Sequence, residues 1–257
     1  MYGDLDVSVL DEMPPNRQPV ITAVRDAGSR ERIYAFLRTQ VREGRQAFVI
    51  CPLVEESDRT EAKAAVEEHA RLQRDVFAQL SLGLLHGRMS AEEKEQVMAD
   101  FRAGKYHILV STSVIEVGID VPNATLVLVE GADRFGLAQL HQFRGRVGRG
   151  QWKSYCILLS DDPSEEGLRR LRIMEETQDG FALAERDLEM RGPGDFFGVR
   201  QHGLPALKVA RLSDRAVLEQ ARVAATALFE RDPELARPEH RALATSVDHF
   251  WAPADLS

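Results

Sequence analysis

Residues Gln142 to Arg149, QFRGRVGR, place three arginines and two glycines within eight positions. Arginine presents a fixed fork of donors that matches phosphate oxygens. Glycine permits unusual dihedrals and lets backbone approach a ligand closely. Arg146 and Arg149, three apart and framed by Gly145 and Gly148, therefore have the makings of arginine fingers that stabilise charge on a transferring γ-phosphoryl group. The competing reading of the same composition is a basic surface loop that touches nothing specific. Upstream lies a polar loop carrying Thr112, Glu116, Gly118 and Asp120. Asp120 can accept from a ribose hydroxyl or simply shape a turn before Pro122. Thr112 and Ser113 carry hydroxyls of the kind that donate to nucleic-acid phosphates. His86 reads as a strand-end histidine without a role.

The elements around these residues follow from periodicity. His107–Thr112 and Ala124–Val129 are apolar runs that read as buried strands flanking the polar loop, and a helix around Leu137–Phe143 carries the arginine segment. Earlier, Ile33, Phe36, Leu37 and Val41 recur at helical spacing between Ser29, an N-cap candidate, and Gly44, a C-terminal glycine. Ala47–Val54 reads as a strand and Thr60–Leu80 as a helix. Leu82–Leu85 is a short strand, and Ser90-Ala91-Glu92-Glu93 is a capping box for a helix that stops at Gly104. Ser154–Leu159 closes the series. Strands alternating with helices predict a doubly wound α/β lobe with a parallel sheet, from about Ser29 to Ser160.

The flanks differ. Residues 1–28 contain Pro14, Pro15 and Pro19 and read as a linker, with Val7–Leu10 as one short strand within it. After Ser160, the run Asp162-Pro163-Ser164-Glu165 opens a helix with Asp162 as N-cap, and a second helix runs from Phe181 to about Met190. With the Asp179-Gly180 turn they predict a helical hairpin. Arg191–Pro205, with four glycines and two prolines, reads as a loop, so residues 161–205 form a hairpin-plus-loop unit. Residues 206–257 hold one clear helix, Ser213–Arg231, and a Pro-punctuated tail.

Composition removes several classes. The net charge of −8 means that a nucleic-acid site must be a local basic patch. Cys51 and Cys156 sit in apolar runs as core thiols, with no disulfide or zinc spacing, and no metal site is expected. The longest apolar runs, about six residues, are far short of the ~20 a membrane span needs. No secretory leader is visible. A soluble, cytoplasmic chain that contacts no membrane is expected. Nor does the chain offer a P-loop: its one Gly-Lys pair, Gly104-Lys105, is followed by Tyr106. An apolar run ending in Asp11-Glu12 imitates a Walker B strand, but Pro14-Pro15 follow at once. Arginines aimed at a γ-phosphate without a P-loop to hold it describe half of a nucleotide site.

These motifs carry a resemblance. Val110–Pro122, VSTSVIEVGIDVP, resembles motif V of superfamily 2 helicases, and QFRGRVGR resembles their motif VI. Together they imply the second RecA-like lobe of such a motor, in which ATP and Mg2+ sit in a cleft held mainly by the first lobe. GDLDVSVLDEMPP, VICPLVEES, HGRM and FALAERDLEMRGPGDFFGVRQHG narrow the resemblance to the bacterial RecG family of branched-DNA helicases, over roughly Gly3 to Gly203. The chain then looks like the C-terminal part of a larger enzyme that starts just after lobe one. The resemblance assigns Arg146, Arg149 and Gln142 to the ATP phosphates, and Gly118 and Asp120 to the nucleotide. It assigns Thr112 to the DNA backbone, and Arg191, Arg200 and Gln201, with Arg170 as a weaker candidate, to coupling with DNA. It implies ATP-driven regression of stalled forks toward Holliday junctions in DNA repair and recombination. The implied partners are branched duplex DNA, the first lobe and wedge domain of the same protein, and single-stranded DNA-binding protein. Two alternatives stay open: the same lobe of the transcription-repair coupling factor, and a nucleic-acid-binding module that never meets ATP.

Overall fold

Six strands organise the larger part of the chain: β1 Val20–Arg25, β2 Gln46–Ile50, β3 Leu82–Leu85, β4 Ile108–Ser111, β5 Ala124–Val129 and β6 Ser154–Leu159. The structure, a computed structural model, describes residues 19–52, 58–112, 120–195 and 215–251. The strands form one sheet in the order β1-β6-β5-β2-β4-β3, and every neighbouring pair is parallel. Parallel strands need crossovers and are covered on both faces, so their sequences are apolar without alternation. β2, β4 and β5 are accordingly buried at every residue.

Alternate side chains then serve two cores. On one face, Ala47, Val49, Ile108, Val110, Leu126 and Leu128 meet Ile33, Tyr34, Leu37 and Val41 of helix α1, Arg30–Arg42, and Leu72 at the end of helix α2, Asp58–Arg71. On the other face, Phe48 packs its ring 5.2 Å from Phe101 of helix α3, Ala91–Arg102. The capping box of α3 forms as expected: Ser90 Oγ accepts from Glu93 N, and the Glu93 carboxylate accepts from Ser90 N at 2.7 Å. Gly44 closes α1 at φ +80°.

Several expectations are corrected. The linker gives up its last part: Val20–Arg25 is edge strand β1, paired along its length with β6. Pro19 stands just before it, where a missing N–H costs the ladder nothing. Glu175 and Gln178 cover its outer edge, the first accepting from Val24 N at 3.1 Å and the second donating to Val20 O at 3.2 Å. Ser29 precedes α1 but does not cap it; Asp26 accepts from Ser29 N at 3.1 Å and from Ser29 Oγ at 3.0 Å. β2 stops at Ile50, ahead of Pro52. α2 ends with one π-type turn through Val76, closed by Phe77 N donating to Leu72 O at 2.7 Å. Val7–Leu10 and residues 53–57 lie outside the described residues.

α4, Leu137–Arg144, lies between β5 and β6, and after β6 come α5, Glu165–Glu176, and α6, Gly180–Asp195. The cap of α5 is Ser164, not Asp162: its hydroxyl accepts from Gly167 N at 3.1 Å, leaving Pro163 outside the helix. α6 runs five residues past Met190, so the expected loop does not begin at Arg191. The chain divides into a larger unit, Glu12–Ala184, and a smaller one containing Glu185–Ser257. The smaller unit holds α7, Arg215–Arg231, and a helix not anticipated in the tail, α8, Arg241–Trp251. Between them Asp232 is buried, accepting from Ala236 N and Arg237 N at 3.0 Å and pairing with His240 Nδ1 at 2.7 Å.

Phe48 is fully buried, so Phe48→Ala is expected to cost about 3–5 kcal/mol through lost burial and a residual cavity, read as a lowered denaturation midpoint.

Candidate functional site

The carboxyl end of α4 presents the arginine cluster. Leu137, Leu140 and Phe143 are the buried face of this helix, and Val147, fully buried, anchors the turn that follows. Between these anchors Arg146 is half-buried and Arg149 reaches the surface. Gly148 takes φ +78°, a left-handed conformation that a side chain would resist. Gly150 passes so close to the preceding loop that an added Cβ would lie 2.5 Å from Pro122 O. The end of the arginine turn is thereby pressed onto Asp120–Asn123, just before β5. Arg149 Nη1 stands 3.4 Å from Asp120 Oδ1, and Arg149 Nε donates to Gly145 O at 3.1 Å. Both side chains of that ion pair are exposed, so the pair contributes at most about 1 kcal/mol and exchanges readily for another anion. Gln142 is exposed on α4.

The expected site residues do not all lie together. Arg149 and Asp120 meet just before β5, with Gln142 on α4 and Arg146 on the turn that follows it. Thr112 lies at the opposite, carboxyl edge, where its N–H donates to Leu85 O at 3.3 Å, and its side chain is buried. Gly118, Arg200 and Gln201 lie outside the described residues, as do Ser113 and Glu116. Arg191 lies in α6. Arg170 is held inside the larger unit: Nη2 donates to Asp133 O at 3.2 Å, and Nη1 lies 4.0 Å from Glu166.

Sequence reading did not single out Arg144, the first arginine of the cluster. It is 4% exposed and donates to Met174 O at 2.9 Å and Thr177 O at 2.7 Å, at the carboxyl end of α5. Its other amino group meets His141 Nδ1 at 3.1 Å. Late-turn carbonyls of a helix lack intrahelical donors and carry partial negative charge, so a guanidinium is well matched to them. At the other end of the same pair, Asp133, in the turn that launches α4, accepts a short hydrogen bond from Ser160 Oγ just before α5. With Arg170 on the Asp133 carbonyl, α4 and α5 are joined near both ends.

A second cluster escaped sequence reading because its members are far apart in the chain. At the carboxyl ends of β2 and β5, where the chain's progress across the sheet reverses, a cavity of about 570 Å³ opens. Arg30 pairs with Glu130 at 2.5 Å and with Asp161 at 2.7 Å; Tyr34 donates to Glu130 at 3.2 Å, and Arg71 to Tyr34 at 3.1 Å. Burial pushes the Glu130 carboxyl above the usual range, and Arg30 works against that. Arg71 is held charged by its bond to Glu68. Cations and anions satisfy one another here, so the cluster reads as architecture.

No group of three His, Cys, Asp or Glu side chains suited to a metal ion exists among the described residues. No helix among them is long and apolar enough to cross a membrane. Burial raises the Cys156 thiol to about 12 and that of Cys51 further, so neither is a nucleophile at neutral pH.

The parallel sheet order and the arginine turn after α4 are those of the second RecA-like lobe of a helicase, and a profile of the helicase conserved C-terminal domain matches residues 28–151. A second profile, ATP-dependent DNA helicase RecG, domain 3, C-terminal, matches residues 177–250. Relatives named ATP-dependent DNA helicase RecG are 54% identical over 222 residues in Thermotoga maritima and 49% over 245 in Bacillus subtilis. Those alignments take in 86% and 95% of this chain but 28% and 36% of the relatives. A solved structure of RecG bound to a three-way DNA junction superposes with a TM-score of 0.68 at 49% identity, covering 86% of this chain and 28% of that one. The chain belongs to the RecG family and corresponds to the C-terminal part of its members.

Replacing Arg144 with leucine is expected to destabilise the larger unit by about 2 kcal/mol, because a buried and a partly buried carbonyl lose their donor. Differential scanning calorimetry checks this; an unchanged transition would mean that water replaces the guanidinium at no cost.

Proposed function

We propose that this chain is the second motor lobe and translocation element of an ATP-dependent DNA helicase that acts on branched duplex DNA. It regresses stalled forks toward Holliday junctions in repair and recombination, in the bacterial cytoplasm. The observation that carries the reading is the contact between the two motif ends, with Arg149 beside Asp120 and Gly150 on Pro122. One exposed surface then offers a guanidinium for a phosphate and a carboxylate for a ribose hydroxyl.

ATP bound between two lobes supplies a γ-phosphoryl group for transfer to water. The P-loop and the acids that hold Mg2+ belong to the first lobe, which is also the partner this surface faces. Arg149 leaves its weak pair with Asp120 for the γ-phosphate, Arg146 and Gln142 complete the phosphate contacts, and Gly118 and Asp120 meet the nucleotide. Because α4 is tied to α5, displacement of the arginines displaces the start of the hairpin. Arg191, Arg200 and Gln201, with Arg170 bracing the first hairpin helix, pass that displacement to DNA, and Thr112 contacts the backbone once uncovered. A wedge domain splits the strands, and single-stranded DNA-binding protein is a further partner. The RecG-specific match over residues 177–250 supports this reading over the transcription-repair coupling factor.

The full-length protein tests it. Arg149→Ala should lower DNA-stimulated ATP turnover by about 10³-fold, the lower end for an arginine finger, while forked-DNA binding stays within about twofold. Undiminished turnover would remove Arg149 from the site. Gln201→Ala should spare DNA-stimulated hydrolysis more than fork unwinding, and equal loss of both would exclude a coupling role. The isolated chain should show no ATPase activity.

A further inference from the structure

Arg30 is the first residue of α1, yet its guanidinium lies over the carboxyl ends of two strands. Nη1 donates to Glu130 Oε2 at 2.5 Å, and Nη2 to Asp161 Oδ1 and Oδ2 at 2.7 and 3.0 Å. Glu130 directly follows β5 and precedes the turn that launches α4, the helix that carries the arginine cluster. Asp161 lies two residues past the end of β6 and precedes the turn into α5. One side chain therefore joins the starting points of both helices to a third element. Only a planar fork can do this, since two of its edges face two carboxylates at once. Glu130 is fixed from two further directions, by Tyr34 on α1 and by its own N–H to Ile50 O at 2.9 Å.

We propose that Arg30 is a positioning residue of the motor, a brace that holds the launch points of α4 and α5 in register so that arginine movement reaches the hairpin without slack. The inference rests on the motor reading above. Arg30 does not meet ATP or DNA and leaves the rate of hydrolysis to the arginine cluster. The Asp161 arm is exposed and contributes little to stability, whereas Glu130 is buried and depends on Arg30 for its charge. Loss of the brace should therefore appear as lost coupling and not as lost fold when only the Asp161 arm is cut.

The test measures ATP hydrolysed and base pairs of fork unwound in the same reaction, with the full-length protein. Asp161→Asn should keep DNA-stimulated ATP turnover within about twofold and lower the base pairs unwound per ATP by about threefold, the scale of one surface ion pair. Its thermal midpoint should match the parent. Arg30→Lys, a point charge that cannot span both carboxylates, should show the same loss per ATP. Unchanged base pairs per ATP in Asp161→Asn would overturn the brace, as would a parallel fall of hydrolysis and unwinding. A parent protein that hydrolyses no ATP on forked DNA would instead overturn the motor reading, and the brace with it.

Discussion

A guanidinium removed from water must find oxygens to replace it, because an unpaired buried charge costs several kilocalories per mole. Arg144 is such a group, and the oxygens it finds are the last free carbonyls of α5 and the linker beyond it. This constraint organises much of the larger unit. It sets where α5 must end, how close the linker before α6 must pass, and which way α4 must turn. The turn then delivers Arg146 and Arg149 to the surface from a helix whose root cannot move independently. The arginine turn after α4 and the carboxyl end of α5 thus share one buried anchor.

The sheet separates the two kinds of chemistry. In a parallel sheet all carboxyl ends lie on one edge and all amino ends on the other. Thr112 closes β4 on the carboxyl edge, while Asp120 stands before β5 on the amino edge. The Arg30–Glu130 cluster occupies the carboxyl edge at the point where the strand order reverses, the usual place for a ligand in such sheets. Here protein side chains fill that role with ion pairs of their own.

Much of this was legible in the residues. β5 and β6 have the bounds their apolar runs imply, and Ser90 caps α3 as its spacing requires. The parallel order follows from the alternation of elements. What was not legible has identifiable causes. VITAVR in β1 lacks the unbroken apolar run of the inner strands because an edge strand is only partly covered, with Ile21 50% exposed, and three prolines before it masked the signal. Asp26 caps the short turn Ala27–Ser29 that leads into α1, a local arrangement that gives no spacing rule of its own. RGPGD reads as a loop by composition, but a helix end tolerates it. Arg144 was visible among three arginines, yet nothing local distinguishes a buried arginine from its exposed neighbours. Arg30 and Glu130 lie a hundred residues apart, and only the fold brings them together.

The central claim is that α4 and α5 move as one body. Spin labels at Ala138 on α4 and Arg172 on α5, both exposed positions, report it directly through their distance distribution in the full-length protein. The distribution should be the same without nucleotide and with a non-hydrolysable ATP analogue on forked DNA. A shift of its maximum between those states would show that the two helices slide against each other, and would contradict a rigid link from the arginines to the hairpin.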